Sequence, residues 1–158
     1  MRTSDLIDLD AGTLSRESFV NEDVFNRELE RVFVPAWSFV GHTSQLKKSG
    51  DFFLSRVGVE QVIVSRDQAG AINVLLNSCR HRGMAACRYD SGNANSFVCS
   101  YHGWTYGLDG SLTGVPKFQS RYQGRLDRDK WGLIKARVTV YYGTIWATFD
   151  EHVPSFED

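Results

Sequence analysis

The chain has 158 residues, of which 42% are hydrophobic and 23% charged, and its formal net charge is −1; these values are typical of one globular domain, with or without an appendage. The balanced charge argues against nucleic-acid binding, which usually leaves a basic excess, and no run of about 18 apolar residues predicts a membrane span. The N-terminal residues lack the apolar core of a signal peptide, so a cytoplasmic protein is expected.

The first predicted element is a helix that follows an irregular lead-in over residues 1–20. It runs from Glu22 to about Phe33, because Asn21 is a favourable N-cap, acidic residues occupy the first turn and Pro35 ends the pattern. Its apolar side chains lie largely on one face, which predicts packing against a domain, the alternative being a helix that binds a partner. These side chains are Val24, Phe25, Leu29, Val32 and Phe33.

From residue 37 onwards, short β-rich runs alternate with turns. Hairpin turns are predicted at residues 68–70, 109–110 and 142–143, and loops at 90–95 and 127–130. Several short strands at close spacing predict an all-β sandwich or barrel. The predicted strands are 37–41, 52–57, 61–66, 72–77, 96–99, 105–106, 111–113, 133–141 and 144–149.

Two short segments carry the ligand chemistry of the chain. Cys79 and His81 are followed after 17 residues by Cys99 and His102, in the pattern C-x-H-x17-C-x2-H. An ordinary Cys2His2 zinc finger places both cysteines on one arm and both histidines on the other. Here each arm supplies one thiolate and one imidazole, so both cysteines can bind one iron and both histidines a second. This is the ligation of a Rieske [2Fe–2S] centre.

The residues around these ligands carry a family resemblance. Gly83 and Gly103 follow the ligand pairs, where tight turns favour a residue without Cβ. The strings CRHRG, CSYHGWTY, RELERVFVPAWSFVGH, SGDFF, WGLIKARV and GTIWATFD resemble the N-terminal part of the large (α) subunit of bacterial aromatic-ring-hydroxylating dioxygenases. The resemblance covers residues 20–150, and it concerns the Rieske [2Fe–2S] domain of that subunit.

The resemblance implies a fold and a division of the chain. The expected fold is an all-β, Rieske-type β-sandwich with a small cluster-binding subdomain at about 78–116 and an N-terminal helix. The lead-in and helix occupy 1–36 and the Rieske domain 37–150. Residues 151–158 form a tail towards a catalytic domain that this sequence does not contain.

The ligand set that the resemblance implies is one [2Fe–2S] cluster per chain, with Cys79 and Cys99 on one iron and His81 and His102 on the other. Neutral imidazoles in place of two thiolates make an added electron easier to accept, so the potential lies above that of all-cysteine clusters. Met84 and Tyr101 stand where high-potential Rieske proteins carry two cysteines joined in a disulfide, and Trp104 stands where they carry a hydroxyl residue that bonds cluster sulfur. Fewer hydrogen bonds to sulfur imply a low potential within the Rieske range.

Four neighbours of the ligands are candidates for supporting roles. Arg80 and Arg82 either form a positive surface that favours the reduced cluster or docks a partner, or are solvated loop residues. Trp104 either shields the cluster, lines a docking surface or serves packing alone. Tyr106 is a candidate hydrogen-bond donor to cluster sulfur. Cys87 is expected to be a buried, inert thiol.

A second metal site is missing. Ring dihydroxylation requires a mononuclear Fe(II) held by two histidines and one carboxylate. The two histidines outside the cluster motif are His42 and His152, which are expected to be structural or surface residues. The resemblance therefore implies an oxidoreductase of aromatic hydrocarbon catabolism of which this chain is one part. We expect no catalytic residue in this chain, and no catalytic competence of the chain alone.

The implied function is electron transfer. A ferredoxin or flavin reductase would donate electrons, and the oxygenase catalytic domain would accept them, in a trimer with or without small β subunits. The alternative is a free-standing Rieske ferredoxin, which has the same cluster chemistry but is usually the bare domain. A structural zinc module is a third hypothesis, which the arrangement of one Cys and one His on each arm disfavours.

Overall fold

The structure, a computed structural model, describes residues 3–157. None of the helices in this range is long and apolar enough to cross a membrane. The α-helices are α1 (Glu17–Val20), α2 (Glu22–Glu28) and α3 (Phe118–Tyr122), with a π-helical turn at Leu29–Phe33 and 3-10 turns at Thr3–Asp5, Thr43–Gln45 and Arg128–Lys130. The strands are β1 (Ile7–Asp8), β2 (Thr13–Leu14), β3 (Ser38–His42), β4 (Asp51–Val57), β5 (Glu60–Arg66), β6 (Ile72–Leu76), β7 (Ser91–Asn93), β8 (Phe97–Val98), β9 (Thr105–Tyr106), β10 (Leu112–Gly114), β11 (Arg137–Tyr141) and β12 (Thr144–Thr148).

A four-stranded antiparallel sheet, in the order β6-β5-β4-β7, forms the middle of the molecule. Successive side chains of a strand point to opposite faces, and β5 is buried on both. Val62 and Val64 enter one apolar core, while Ile63 enters another. The sheet therefore separates two cores, one on each face.

The core on the side of Val62 is closed by the sheet β11-β12-β3. Ile145 and Ala147 of β12, both fully buried, and Val40 of β3 face the middle sheet. Burying side chains of the size of Ile145 and Val40 contributes about 1.5–3 kcal/mol each. These two sheets form the sandwich that the sequence predicts.

The core on the side of Ile63 carries the cysteine- and histidine-containing segments. The small antiparallel sheet β10-β9-β8 lies here, and its Phe97 and Tyr106 join the core with Leu75 of β6. The buried Ser65 hydroxyl donates to the Leu108 carbonyl at 2.7 Å. Both ligand loops therefore pack against the same face of the middle sheet, through this core.

Most predicted strands are confirmed to within two residues, but three loop or strand predictions are wrong. Residues 90–95 contain β7, which pairs with β4. The 127–130 loop is confirmed as a largely exposed loop with one 3-10 turn. The strand predicted at 133–141 begins only at Arg137, although Leu133 is buried. The irregular lead-in contains the β1-β2 hairpin, and α3 was not predicted.

The N-terminal helix begins where predicted but does not pack as predicted. The Asn21 side chain accepts hydrogen bonds from the amides of Asp23 and Val24, at 3.0 and 3.3 Å. Neither α2 nor the π-helical turn after it contains a buried residue. The expectation that its apolar face is covered is therefore wrong within residues 3–157, where Phe25 and Val32 are about half exposed.

Candidate metal centre

The two ligand loops are built on the same backbone pattern. In the first, the Cys79 amide donates to the Met84 carbonyl and the Gly83 amide donates to the Cys79 carbonyl, both at 2.8 Å. The second loop repeats both bonds, at 2.8 and 2.9 Å, between Cys99, Trp104 and Gly103. Each cysteine is therefore fixed by its own amide and carbonyl at the base of a tight turn.

A glycine closes each turn in a left-handed conformation. The φ angle is +74° at Gly83 and +73° at Gly103, and residues with a Cβ are strained in this region. A Cβ at Gly103 would also lie 2.9 Å from Pro116 Cγ, whereas at Gly83 its nearest neighbour is 3.9 Å away. The second loop is therefore the more tightly packed of the two.

The two cysteine thiols are buried and lie next to each other. Cys79 is 3% exposed and Cys99 2%. Burial, and then the neighbouring Cys79 thiol, raise the pKa of Cys99, while the amides of Tyr101 and His102 oppose the shift. The neutral form of the Cys99 thiol is therefore favoured, and a bound metal cation would displace its proton.

Tyr106 contacts the first ligand loop at two residues, Cys79 and Arg80. Its ring is fully buried, its hydroxyl lies 3.2 Å from Cys79 Sγ, and it accepts the Arg80 amide at 3.1 Å. Burial, followed by the Cys79 contact, raises the pKa of Tyr106. The protonated hydroxyl is therefore favoured, and it lies within hydrogen-bond distance of the Cys79 sulfur.

The two candidate imidazoles lie together at the surface side of the thiols. Their ring centroids are 4.5 Å apart. His81 is half-buried and stacks on Trp104 at 5.0 Å with an interplanar angle of 6°, whereas His102 is exposed against Tyr101. Burial, then the charges of His102 and Arg82, lower the pKa of His81, which favours the neutral form that a metal ligand requires.

The donor atoms fit a two-metal group better than a single ion. His81 Nδ1 is buried without a hydrogen-bond partner, which costs free energy unless a ligand or metal satisfies it. The donors form two pairs, one of neighbouring thiols and one of imidazoles, and two pairs of different ligand type suit two metal ions.

The remaining cysteine is buried in the same apolar core as Cys79 and Cys99, but its thiol has a different neighbour. Cys87 is 5% exposed, its amide donates to the Asn77 side chain at 2.9 Å, and burial raises its pKa. Its thiol faces the Tyr89 carbonyl at 3.6 Å. His42 likewise has a partner close in the sequence, since its Nδ1 lies 2.9 Å from Ser44 Oγ.

Sequence reasoning did not find a cationic groove beside the imidazoles. This cavity of about 500 Å³ is bordered by His81 and His102, and its basic side chains come from Arg82, Lys117 and Arg121. Lys117 adopts a left-handed φ of +58° where α3 begins, a conformation that is costly for a residue with a Cβ. A basic excess in this part of the chain is the sequence signal that points to the groove.

Comparison with known proteins places these observations in a family context. The profile of the Rieske family, described as a Rieske [2Fe-2S] domain, matches residues 36–141. The chain is 49% identical over 151 residues to the N,N-dimethyl phenylurea N-demethylase subunit alpha of Sphingobium sp. (strain YBL2), covering 95% of this chain and 33% of that one. It is 42% identical over 154 residues to the biphenyl 2,3-dioxygenase subunit alpha of Rhodococcus jostii (strain RHA1), covering 98% and 33%.

Solved structures give the same result. Naphthalene 1,2-dioxygenase from Rhodococcus sp. bound to indole matches with a TM-score of 0.85 and 41% identity, covering 87% of this chain and 32% of that chain. A quaternary ammonium Rieske monooxygenase in complex with L-carnitine matches with a TM-score of 0.81 and 29% identity, covering 90% and 40%. The chain thus spans about a third of the length of the curated relatives it matches.

Proposed function

The chain belongs to the Rieske [2Fe-2S] domain family, and from that premise we propose that it is the electron-transfer domain of an aromatic-ring-hydroxylating dioxygenase α subunit. One observation carries the proposal. Two loops with the same backbone hydrogen bonds hold two buried, neighbouring thiols, and the Tyr106 hydroxyl contacts the Cys79 thiol. The same loops bring two imidazoles together near the surface. This is the division of ligands that a Rieske centre uses.

In this proposal the ligands divide by type. Cys79 and Cys99 bind one iron as thiolates, and His81 and His102 bind the other as imidazoles. When bound, a [2Fe–2S] cluster supplies reversible transfer of one electron. The buried cysteines keep water from the sulfur side, Trp104 covers His81, and His102 presents an exposed edge to redox partners.

The proposed partners follow from the relatives. A ferredoxin or flavin reductase donates the electron, and a mononuclear Fe(II) in an oxygenase catalytic domain accepts it, in a trimer with or without small β subunits. That second iron would lie in the two thirds of the relatives' length that this chain does not span. The names of the relatives include an N-demethylase and ring dioxygenases, so the substrate is left as an aromatic compound.

We assign residues 37–150 to the Rieske domain, with its cluster-binding part at about 78–116, and residues 1–36 and 151–158 to connections with the rest of the enzyme. The core on the cluster side of the middle sheet is separate from the sandwich core, which supports the inner division. The C-terminal residues return to the sandwich, where Trp37 Nε1 donates to the Pro154 carbonyl at 3.0 Å.

Replacing Tyr106 by phenylalanine is expected to lower the reduction potential. The hydroxyl lies 3.2 Å from Cys79 Sγ, and once Cys79 is a thiolate ligand the hydroxyl holds the proton of this pair and donates it. This bond is strongest when the added electron makes the sulfur more negative. A hydrogen bond to a charged group contributes about 1.5–3 kcal/mol, so a partial loss corresponds to a shift of tens of millivolts, at about 59 mV per tenfold change for one electron. A spectroelectrochemical titration measures the shift.

Tyr89→Phe is the matched control, because it removes a hydroxyl from a side chain that is 75% exposed. Its potential should equal that of the unmodified chain. An unchanged or higher potential in Tyr106→Phe would show that the hydroxyl does not stabilise the reduced state.

A reconstituted assay separates an oxygenase domain from a free-standing ferredoxin. The cluster-loaded chain is added to a ring-hydroxylating reductase–oxygenase pair from which the ferredoxin has been omitted. We expect the chain to be reduced by one electron but not to restore product formation, whereas the authentic ferredoxin restores it. Restored turnover by this chain would establish the carrier function instead.

A further inference from the structure

Two tryptophan rings connect the surface to His81, a proposed iron ligand. Trp131 is 36% exposed, and its ring centroid lies 5.9 Å from that of Trp104, at 80°. Trp104 is 2% exposed and stacks on His81 at 5.0 Å. The three rings are therefore in continuous contact from solvent to the imidazole that carries the unpartnered Nδ1.

The outer end of this row of rings is cationic. The Arg80 guanidinium carbon lies 6.0 Å from the Trp131 ring centroid, within the range of a cation–π contact. The position of Arg80 is fixed by its amide, which donates to the Tyr106 hydroxyl at 3.1 Å. An exposed tryptophan beside an arginine is the composition found at the energetic centres of protein interfaces.

The net positive charge of residues 78–131 favours a negatively charged partner. Residues 78–131 contain eight Lys and Arg against four Asp and Glu, a net charge of +4, although the whole chain carries −1. The remaining residues therefore carry −5 in total. Such a separation orients and attracts a negatively charged protein towards this half of the molecule.

We propose that Trp131 and Arg80 form the docking point for an acidic one-electron carrier protein, and that Trp104 and His81 couple this point to the cluster. The inference rests on the proposed function and names where the electron enters. The carrier is oxidised by one electron and the chain is reduced by one, and no bond between heavy atoms forms or breaks. The groove between His102, Lys117 and Arg121 then remains free for the acceptor.

Binding is tested first, because it does not depend on electron transfer. The probe is an acidic plant-type [2Fe–2S] ferredoxin, with both proteins oxidised, at low and high ionic strength. Trp131→Leu is expected to weaken binding about tenfold or more, as loss of an interface anchor does. Arg80→Gln should slow association and reduce its dependence on salt.

Two control variants carry the same chemical changes elsewhere. Arg56→Gln removes one exposed positive charge outside residues 78–131, and Tyr142→Asn removes an aromatic side chain that is 88% exposed at the tip of the β11-β12 hairpin. Both should bind the ferredoxin within about twofold of the unmodified chain, since distant surface changes have small effects.

Electron entry is then measured in a stopped-flow experiment. Trp131→Leu should slow reduction by the reduced ferredoxin about tenfold or more, following its weaker binding. Reduction by the small molecule methyl viologen, supplied in its one-electron-reduced form, should be unchanged. An unaltered EPR spectrum shows that the iron site itself is intact. Trp131→Phe, which keeps an aromatic ring, should recover part of the rate.

Equal binding and equal reduction rates for Trp131→Leu and the unmodified chain would overturn the inference. So would a Lys117→Gln or Arg121→Gln variant that loses ferredoxin binding while Trp131→Leu keeps it, because the donor would then dock in the groove. Failure of the unmodified chain to bind the ferredoxin also overturns it. Failure of the proposed function is distinct, because the reduced chain would then give no Rieske EPR signal.

Discussion

Replacing Cys99 by serine is expected to abolish the iron centre. A thiolate is the soft ligand that iron–sulfur clusters select, and a serine hydroxyl loses its proton far less readily. Cys99 is also buried next to Cys79, and burial disfavours the charged form of a serine hydroxyl still further. The iron content should fall from about two atoms per chain to near zero, with loss of the brown-red colour.

Cys87→Ser is the matched control for this change. Cys87 is as buried as Cys99 but faces the Tyr89 carbonyl, so its serine variant should keep full iron content at a modest cost in stability. Full iron content in Cys99→Ser would contradict the ligand assignment. Loss of iron in Cys87→Ser would place that thiol in the coordination sphere and contradict it equally.

The two loop glycines should differ in how much alanine destabilises them. Both have φ near +74°, and a left-handed residue with a Cβ costs about 1–2 kcal/mol. Gly83→Ala should lower the free energy of unfolding by that amount alone. At Gly103 the new Cβ also meets Pro116 at 2.9 Å, and overpacking of this kind adds about 1–3 kcal/mol.

Urea unfolding of the iron-free chain measures both differences, and Gly83→Ala is the internal control for the conformational cost. We expect Gly103→Ala to lose the most stability and to take up less iron, because Pro116 borders the groove beside His81 and His102. Equal losses in the two variants would show that Pro116 moves aside freely and that the second loop is not tightly packed.

The strands that could be predicted are those that bury their side chains. β5 and β6 are apolar and bounded by turns, and burial on both faces of β5 explains its continuous run of Val and Ile. β7 could not be predicted, because Ser91–Asn93 is exposed and consists of residues that disfavour strands. It exists through backbone pairing with β4, a tertiary effect with no local signal.

The site shows the same division. The spacing of Cys and His marks the four ligand candidates. The Tyr106 hydroxyl lies 3.2 Å from Cys79 Sγ, and its bond to cluster sulfur stays a prediction. The groove residue Lys117 and the exposed Trp131 are brought to the ligands by chain segments far along the sequence. Periodicity predicts that α2 has an apolar face, but it does not predict what covers that face. Within the described residues, no side chain of α2 is buried.

The most direct test of the iron–sulfur centre is the EPR spectrum of the dithionite-reduced chain, purified without air. We predict a rhombic signal with the low average g value of mixed histidine and cysteine ligation, and its disappearance in Cys99→Ser. A signal typical of four-cysteine ligation, or zinc in place of iron with no signal, would contradict the assignment of Cys79, His81, Cys99 and His102 as the ligands.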